Sequence, residues 1–356
     1  MTNSSSQFIR PMTLAELLDR ALGLYRQNFF KFIGIIAIPY IPLMLIQAGL
    51  SFFTTSSLMS GMTRVGAAPP ANPFNASVLF AYLGIFAVAV VQFVLVQGVA
   101  TAALTRAISD NYTGQPIDIL GSYGKIGGSW ARLIGALLLM ALIYVFVIIW
   151  MIIPCVGWFT GPGLFFFLSL AVTPLIAPII VLENLNVTDS IRRAWDLARS
   201  RFWWLMGCAL VLTLFGQLII TGPVFLLRFV ITAGANLYPM SFEQQLTIST
   251  IVQNLVTTFT SLLYLPIQLT IMTVVYFDLR ARSEGLDLAL QISNAPEDEM
   301  EVVSLPDISS QSAPEPFFTT TDAGRFALLS LAGMALYMIF IAVIFAVVAL
   351  TMPAIR

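Results

Sequence analysis

Residues 13–30, with the sequence TLAELLDRALGLYRQNFF, lead into a long apolar run, and residues 186–204, NVTDSIRRAWDLARSRFWW, lead into another. This recurrence predicts a repeated unit in which a short helix precedes a membrane span. Residues 13–34 and 186–207 align without a gap and share Arg20 with Arg193, Ala21 with Ala194, Leu24 with Leu197, Arg26 with Arg199, Phe29 with Phe202, and Gly34 with Gly207.

The composition indicates an integral membrane protein. Hydrophobic residues make up 58% of the 356-residue chain and charged residues 10%, and the mean hydropathy is +0.89. Soluble domains have roughly 45–50% apolar and about 25% charged residues. The 17 basic and 18 acidic side chains nearly cancel, so the charge balance gives no reason to expect a nucleic-acid partner.

Seven stretches are long enough to cross a membrane, which takes about 20 mostly apolar residues. We expect all seven to be helices, because lipid offers unpaired backbone groups no partner and no stretch alternates as barrel strands do. The predicted fold class is an all-α integral membrane protein, a polytopic helical bundle. The spans cover about residues 32–53, 77–104, 132–153, 162–182, 205–231, 247–277 and 326–350.

The distribution of basic residues predicts the orientation. If the N-terminus is cytoplasmic, 14 of the 17 basic residues lie on the cytoplasmic side, and Arg64, Arg228 and Arg356 lie outside or near the outer ends of spans. The positive-inside rule therefore favours a multi-pass membrane protein with a cytoplasmic N-terminus. Seven spans then place the C-terminus outside.

The polar segments predict the domain organisation. Residues 1–11 read as a cytoplasmic tail, and the first apolar run is too long and too late for a signal peptide, so we expect no cleaved leader. Residues 291–321, acidic and rich in Pro and Ser, are typical of a disordered cytoplasmic linker. This linker separates a six-span membrane domain, about residues 12–290, from a C-terminal span at 322–356.

The repeated helices are predicted to be amphipathic and to lie in the cytoplasmic membrane interface. Thr13 with Glu16 forms a capping-box pattern, and Asn186 with Asp189 is a weaker version at the matching position. The predicted apolar faces are Leu14, Leu18, Ala21, Tyr25 and Phe29 in the first copy, and Val187, Ile191, Ala194, Ala198 and Phe202 in the second.

A third, degraded copy is predicted at residues 116–130, with Pro116 as the first helical residue, although four glycines make it a poor helix. With interfacial helices at about 13–30, 116–130 and 187–203, the chain divides into three parallel repeats, each an interfacial helix plus a two-span hairpin. The alternative is that any basic amphipathic stretch before a span looks alike. The inverted repeats of many secondary transporters are not predicted.

Several motifs resemble the bacterial membrane domain found in some glycerophosphoryl diester phosphodiesterases and in stand-alone relatives of unassigned function. The resemblance covers about residues 10–290 and implies a membrane domain without catalytic chemistry of its own. In that family the phosphodiesterase activity belongs to a separate soluble barrel with metal-binding carboxylates and catalytic histidines. The motifs are RPMTLAELLDRA at 10–21, APIIVLE at 177–183, SIRRAW at 190–195, RFW at 201–203 and YFDLRARSEGLD at 276–287.

The residue inventory predicts no enzyme. The chain has no histidine, and Lys31 and Lys125 are its only lysines, both predicted at the cytoplasmic interface. It contains no P-loop, HExxH, GxSxG or CxxC motif. Cys155 and Cys208 are placed on opposite membrane faces, so we expect neither a disulfide nor a metal site, and no cofactor.

The candidate functional residues are charged side chains of two kinds: polar residues at the ends of spans, and arginines that could contact headgroups or a partner. Glu183 and Arg228 lie at span ends and can either pair or snorkel to the headgroups, or line a path. Asp278 and Arg280 belong to a mixed-charge cytoplasmic cap that either pairs internally or binds a substrate. The candidates for contacts to headgroups or a partner are Arg20, Arg26, Arg192, Arg193, Arg199 and Arg201.

Polar and helix-breaking residues inside the spans are a further signal. Amides in a bilayer usually bond across helices, and prolines usually kink them, although both can also surround a cavity. The amides are Gln47, Gln92, Gln97, Gln217, Gln253, Asn254 and Gln268, and the prolines are Pro39, Pro42, Pro174, Pro178, Pro223 and Pro266.

The leading hypothesis from sequence is a non-enzymatic lipid-interacting scaffold or accessory subunit. Its basic helices are expected to hold anionic headgroups of membrane lipids, at about 1 kcal/mol per basic residue, or to dock a protein partner or a second copy. The alternative is a transporter or lipid-translocating component. A membrane-embedded phosphodiesterase is the third class, and it needs Glu183, Asp189, Asp196 and Asp278 to cluster.

Overall fold

The protein is an all-α polytopic membrane bundle. The computed structural model describes residues 13–62, 76–112, 115–237, 241–284 and 318–351, which are 92% helical and contain no strand. Six helices in this part of the chain are long and apolar enough to cross a membrane: Phe29–Thr54, Tyr82–Asn111, Ile119–Trp150, Val156–Glu183, Phe202–Thr232 and Gln244–Arg282.

The helices follow one another with short connections. In chain order they are α1 (Leu14–Gln27), α2 (Phe29–Met62), α3 (Ala76–Gln92), a first π-helical segment (Phe93–Ala100), α4 (Thr101–Tyr112), α5 (Ile119–Gly124), a 3₁₀ turn (Gly127–Ser129), α6 (Trp130–Trp150), α7 (Val156–Phe167), a second π-helical segment (Leu168–Val172), α8 (Thr173–Glu183), α9 (Val187–Ser200), α10 (Phe202–Leu237), α11 (Phe242–Glu284) and α12 (Thr320–Thr351).

The six spans correspond to the first six predicted from sequence. The seventh prediction, about 326–350, falls on the 32-residue α12, which is not among the six. The predicted tail at 1–11 and nearly all of the predicted linker at 291–321 lie outside the described residues.

Two of the spans form the centre of the bundle. The most apolar windows of Val156–Glu183 and Gln244–Arg282 are 72% and 67% buried, against 17–28% for the other four. Every residue from Thr173 to Val181 of α8 is buried, as expected for a helix that is apolar all round. The remaining spans surround these two and expose apolar side chains to the lipid.

The repeated segments α1 and α9 have matching boundaries. Adding 173 to the bounds of α1, Leu14–Gln27, gives those of α9, and the same shift takes the start of α2 to the start of α10. The buried positions also correspond: Leu17, Ala21, Leu24 and Tyr25 in α1 match Ser190, Ala194, Leu197 and Ala198 in α9.

The predicted capping box is confirmed in α1 and wrong in α9. The Glu16 amide donates to the Thr13 hydroxyl, and the Thr13 amide donates to the Glu16 carboxylate at 3.0 Å. Asn186 is the N-cap of α9 but makes no side-chain capping bond. Instead the Ser190 hydroxyl donates to the Asn186 carbonyl at 2.6 Å.

The buried faces of both helices pack against other helices of the protein, and the location of the two helices in the membrane interface stays a prediction. α1 packs on α11, and α9 packs on α8 after the turn at Asn184. In α1 the buried face includes Leu17 and Leu24, whereas Leu14, predicted on that face, is 37% exposed. An amphipathic pattern marks an apolar face without saying what covers it.

The third copy is a short helix. α5 begins after Asp118, whose carboxylate accepts from the Gly121 amide, so Pro116 as the first helical residue is wrong. One contact nevertheless recurs between the predicted units. A Cβ on Gly34 of α2 would lie 2.7 Å from Ile119, the first residue of α5, and one on Gly135 of α6 would lie 3.2 Å from Val187, the first residue of α9.

Candidate functional site

Several of the arginines proposed for headgroups or a partner are held by the protein. Arg193 Nε lies 3.4 Å from Glu183 Oε2, and Arg199 Nε lies 3.3 Å from Asp322 Oδ1 on α12. The Arg201 guanidinium lies 5.5 Å from the ring centre of Trp204. Arg20 is half-buried, whereas Arg26 and Arg192 are exposed.

The candidate Glu183 is part of a polar cluster that joins three helices. The Tyr276 hydroxyl on α11 donates to Glu183 Oε1 at 2.6 Å, and Arg280 Nη1 lies 3.5 Å from the same hydroxyl. With Arg193 on α9, the cluster connects α8, α9 and α11. Of the two interpretations open from sequence, the geometry matches pairing within the protein.

The other polar candidates also have partners. Asp278, 1% exposed, accepts from Arg282 Nε at 2.8 Å. Arg228 donates to Gln253 Oε1 on α11 at 2.7 Å. Among the described residues no group of three or more Asp, Glu or Cys side chains could hold a metal ion. Both Cys155 and Cys208 are free.

A polar cavity lies where five of the membrane-spanning helices meet. It has a volume of about 180 Å³, which at about 30 Å³ per molecule is room for on the order of six waters or a small solute. Among the residues that the structure describes, no ionisable group other than a tyrosine hydroxyl lines it. Its polar side chains are Gln97, Tyr144, Ser169, Thr173, Thr213 and Gln268.

The cavity lies away from the ends of two membrane-spanning helices. Tyr144 lies 12 residues after Arg132 of α6, or about 18 Å at 1.5 Å per residue. Thr213 lies ten residues, about 15 Å, after the exposed Trp203 of α10. Both residues belong to helices long and apolar enough to cross a membrane.

The two π-helical segments border this cavity. Phe93 and Gln97 belong to the first, Ser169 and Leu170 to the second, and Thr173 begins α8 directly after it. A π-helical segment widens the helix and re-aims its side chains, and such segments are frequent at functional sites. Here they turn polar side chains into the bundle on two sides of one space.

Two amide side chains in the cavity have no hydrogen-bond partner among the described residues. The hydroxyls of Tyr144 and Thr173 lie 2.6 Å apart, and Thr213 donates to the Ala209 carbonyl of its own helix. Gln97 and Gln268 make no hydrogen bond to any other described residue. Each amide offers two donors and an acceptor, and in a membrane such groups need a partner.

The sequence contained part of this site. Gln97, Gln268 and Pro174 were among the polar and helix-breaking residues inside spans. Tyr144, Ser169, Thr173 and Thr213 gave no separate signal, because hydroxyl side chains in membrane helices commonly bond to their own backbone. Which of the seven in-span amides share one space depends on helix packing.

Comparisons with family models, with curated proteins and with solved structures give no match for this chain. The resemblance to the phosphodiesterase membrane domain therefore rests on the sequence motifs alone.

Proposed function

We propose that the protein binds a small uncharged polar solute inside the membrane, as a transporter-class component. The observation that carries this proposal is a pair of amides without a hydrogen-bond partner among the described residues, Gln97 and Gln268, in a polar cavity between membrane-spanning helices. Solute sites of secondary transporters lie within the membrane, where helices are interrupted. The two π-helical segments supply such interruptions.

The lining sets the class of solute. Six neutral side chains offer hydrogen bonds, and within the described part of the chain no carboxylate, guanidinium or ammonium faces the cavity to balance a charge. Because an unpaired charge in low dielectric is very unfavourable, the site selects an uncharged molecule with several hydroxyl or amide groups. A small polyol or a urea-like amide meets this description.

Solute entry into proteoliposomes tests the proposal. Vesicles are shrunk by ethylene glycol, glycerol, erythritol or urea, and re-swelling is followed by light scattering. We expect the wild-type protein to accelerate re-swelling for at least one solute. Gln97→Leu combined with Gln268→Leu should remove the acceleration.

The matched control is Gln92→Leu, an amide five residues before Gln97 in the same membrane helix and outside the cavity lining. This variant should keep the wild-type rate. Equal rates for empty vesicles and wild-type vesicles with all four solutes, or a wild-type rate in the double variant, would refute the proposal.

A lipid-interacting scaffold is the second candidate function. Of the six arginines predicted to contact headgroups, Arg26 and Arg192 are the ones we propose for this role. These two are exposed, whereas Arg193 and Arg199 are in ion pairs. Liposome flotation with and without anionic lipid should show weaker retention for Arg26→Ala with Arg192→Ala. Equal retention removes this candidate.

We also propose that the protein lies in the bacterial plasma membrane with its N-terminus in the cytoplasm. The cytoplasmic N-terminus is supported by the 14-to-3 distribution of basic residues, and the bacterial plasma membrane by the resemblance of the sequence motifs to a bacterial membrane domain. Reporter fusions after Gly61 and after Arg356 should both report the outer side. A cytoplasmic signal from either fusion contradicts the proposed topology.

A further inference from the structure

The N-terminal part of α12 is held in a seat formed by α7, α9 and the start of α10. Asp322, 2% exposed, lies 3.3 Å from Arg199 Nε and 3.5 Å from Arg325 Nη1. One turn later, Phe326 packs among the rings of Phe167, Trp195 and Phe202, at centroid distances of 5.4, 5.9 and 6.0 Å. A carboxylate and an aromatic ring four residues apart thus dock this helix.

At the matching positions on α1, no helix from the described residues occupies the corresponding place. The shift of 173 relates Trp195, Arg199 and Phe202 to Leu22, Arg26 and Phe29. Leu22 is 41% exposed, whereas Trp195 is 3% exposed. Arg26 is exposed and has no ion-pair partner among the described residues.

α1 and α9 each pack against one of the two central membrane-spanning helices, although α9, unlike α1, also packs against α6. α9 packs against α8, which continues α7, and α1 packs against α11. Next to α1, an apolar groove of about 550 Å³ runs between α2 and α11. The Tyr25 hydroxyl of α1 bonds to the Leu263 carbonyl, directly after Leu262 of the groove lining, so α1 contacts α11 next to the groove.

The groove has the small residues that close helix packing needs. Beneath α12, a Cβ on Gly163 would overlap the Phe326 carbonyl, and the Gly163 amide donates to Ser330 Oγ at 2.7 Å. In the groove, Ala48 and Gly49 of α2 are part of the lining, and nothing lies within 4 Å of the place a Cβ on Gly49 would take. Small residues let membrane helices approach one another.

We infer that α1, α2 and α11 form a second seat for a transmembrane helix, occupied by a helix of another membrane protein. That helix carries an acidic residue in its cytoplasmic first turn and an aromatic residue four positions later. Arg26 takes the carboxylate, and Leu22 with Phe29 takes the ring. The inference does not depend on the solute cavity.

A second copy of this chain is a poorer occupant. Its α12 is held at its own α9, and moving it would leave Arg199 without the Asp322 carboxylate and uncover Trp195 and Phe202. Breaking such a pair from one side is strongly unfavourable. A helix from a different protein fills the second seat without emptying the first.

A labelled synthetic peptide of residues 318–351, used as a probe with the required chemistry, tests the seat in nanodiscs that contain the full chain. We expect saturable 1:1 binding that weakens at least about tenfold in Arg26→Glu, as expected on losing a charge-assisted bond. A peptide with Asp322→Lys should bind wild type weakly and recover binding to Arg26→Glu.

The matched control is Gln27→Glu, which introduces the same charge at the neighbouring exposed position of α1. The peptide should bind the Gln27→Glu variant as tightly as it binds the wild type. An unchanged thermal unfolding temperature for Arg26→Glu and Gln27→Glu shows that both variants are folded. No binding to wild type, equal binding to Arg26→Glu, or binding that is lost only in Arg199→Glu would overturn the inference. Chains that pair by exchanging α12, detected as intermolecular cross-links in the absence of peptide, would also overturn it.

Discussion

The hydroxyl of Tyr276 on α11 lies 2.6 Å from Oε1 of Glu183, the last residue of α8, and donates a hydrogen bond to it. Because Arg193 of α9 lies 3.4 Å from Oε2, one carboxylate holds three helices together. Tyr276 is fully buried, so water cannot replace its hydrogen bond. The cluster fixes how α9 packs against the two central helices.

Removing the Tyr276 hydroxyl should therefore destabilise the bundle. We expect Tyr276→Phe to lower the free energy of unfolding by about 1.5–3 kcal/mol, the range for a hydrogen bond to a charged group. Denaturant titration in detergent micelles measures it. Tyr82→Phe, at a position 55% exposed, is the control, and equal stability of the two variants would contradict this role of Tyr276.

Asp322 is expected to decide whether α12 stays docked. Asp322→Ala leaves Arg199 and Arg325 without their shared carboxylate, a loss on the order of 3 kcal/mol. With a protease site inserted at residues 300–305, the C-terminal fragment should co-purify with the cleaved wild type and be lost from Asp322→Ala. Leu328→Ala, on the exposed side of α12, should retain it, and retention by Asp322→Ala would disprove the ion pair's role.

Two glycine substitutions are expected to act in opposite directions. In Gly163→Ala the new Cβ meets the backbone of Phe326, which cannot move without shifting α12, so stability should fall. In Gly207→Ala nothing lies within 4 Å of the Cβ, and replacing a helical glycine stabilises by roughly 0.5–1 kcal/mol. Thermal unfolding should show a lower midpoint for Gly163→Ala and a higher midpoint for Gly207→Ala than for the wild type.

The turn after α8 depends on a left-handed residue. Asn184 has a φ of 55°, and Arg132 Nη1 donates to its carbonyl at 2.6 Å. Asn184→Gly should stay close to wild-type stability, whereas Asn184→Val should lose about 1–2 kcal/mol, since the left-handed region is unfavourable for residues with a Cβ. Denaturant midpoints that fall equally for both would rule out backbone conformation as the cause.

Docking of α1 is expected to weaken in strong base. Burial raises the pKa of Tyr25 to about 12 from its ordinary 10.0, so the folded protein holds the phenol proton more tightly than the unfolded chain. This contribution to stability is complete below pH 10 and is lost as the pH rises to about 12. Unfolding measured from pH 8 to 12 should show this added slope in wild type and not in Tyr25→Phe.

Hydropathy and helix signals predicted the local structure well. The six spans, the all-α class and the Thr13 capping box follow from apolar run lengths and from a Ser/Thr-to-Glu spacing, which are properties of neighbouring residues. The equal boundaries of α1 and α9 also follow from neighbouring residues, since the two segments align without a gap.

Long-range contacts could not be predicted in the same way. The sequence showed an apolar stripe on α1 but not that α11 would cover Leu17 and Leu24. The cavity is formed by residues from five membrane-spanning helices, and its two π-helical segments have no sequence signature comparable to a cap. Likewise, Asp322 and Phe326 lay beside the predicted linker, where nothing indicated a partner as distant as Arg199.

The recurring glycine contacts have a consequence for biosynthesis. When the ribosome has delivered Ile119, Gly34 is already available to receive it, and Gly135 is likewise available to Val187. α1 packs mainly on a helix made much later: its Tyr25 bonds to Leu263, 238 residues further on. The apolar side of α1 must therefore be shielded, by lipid or by a chaperone, until α11 has been made.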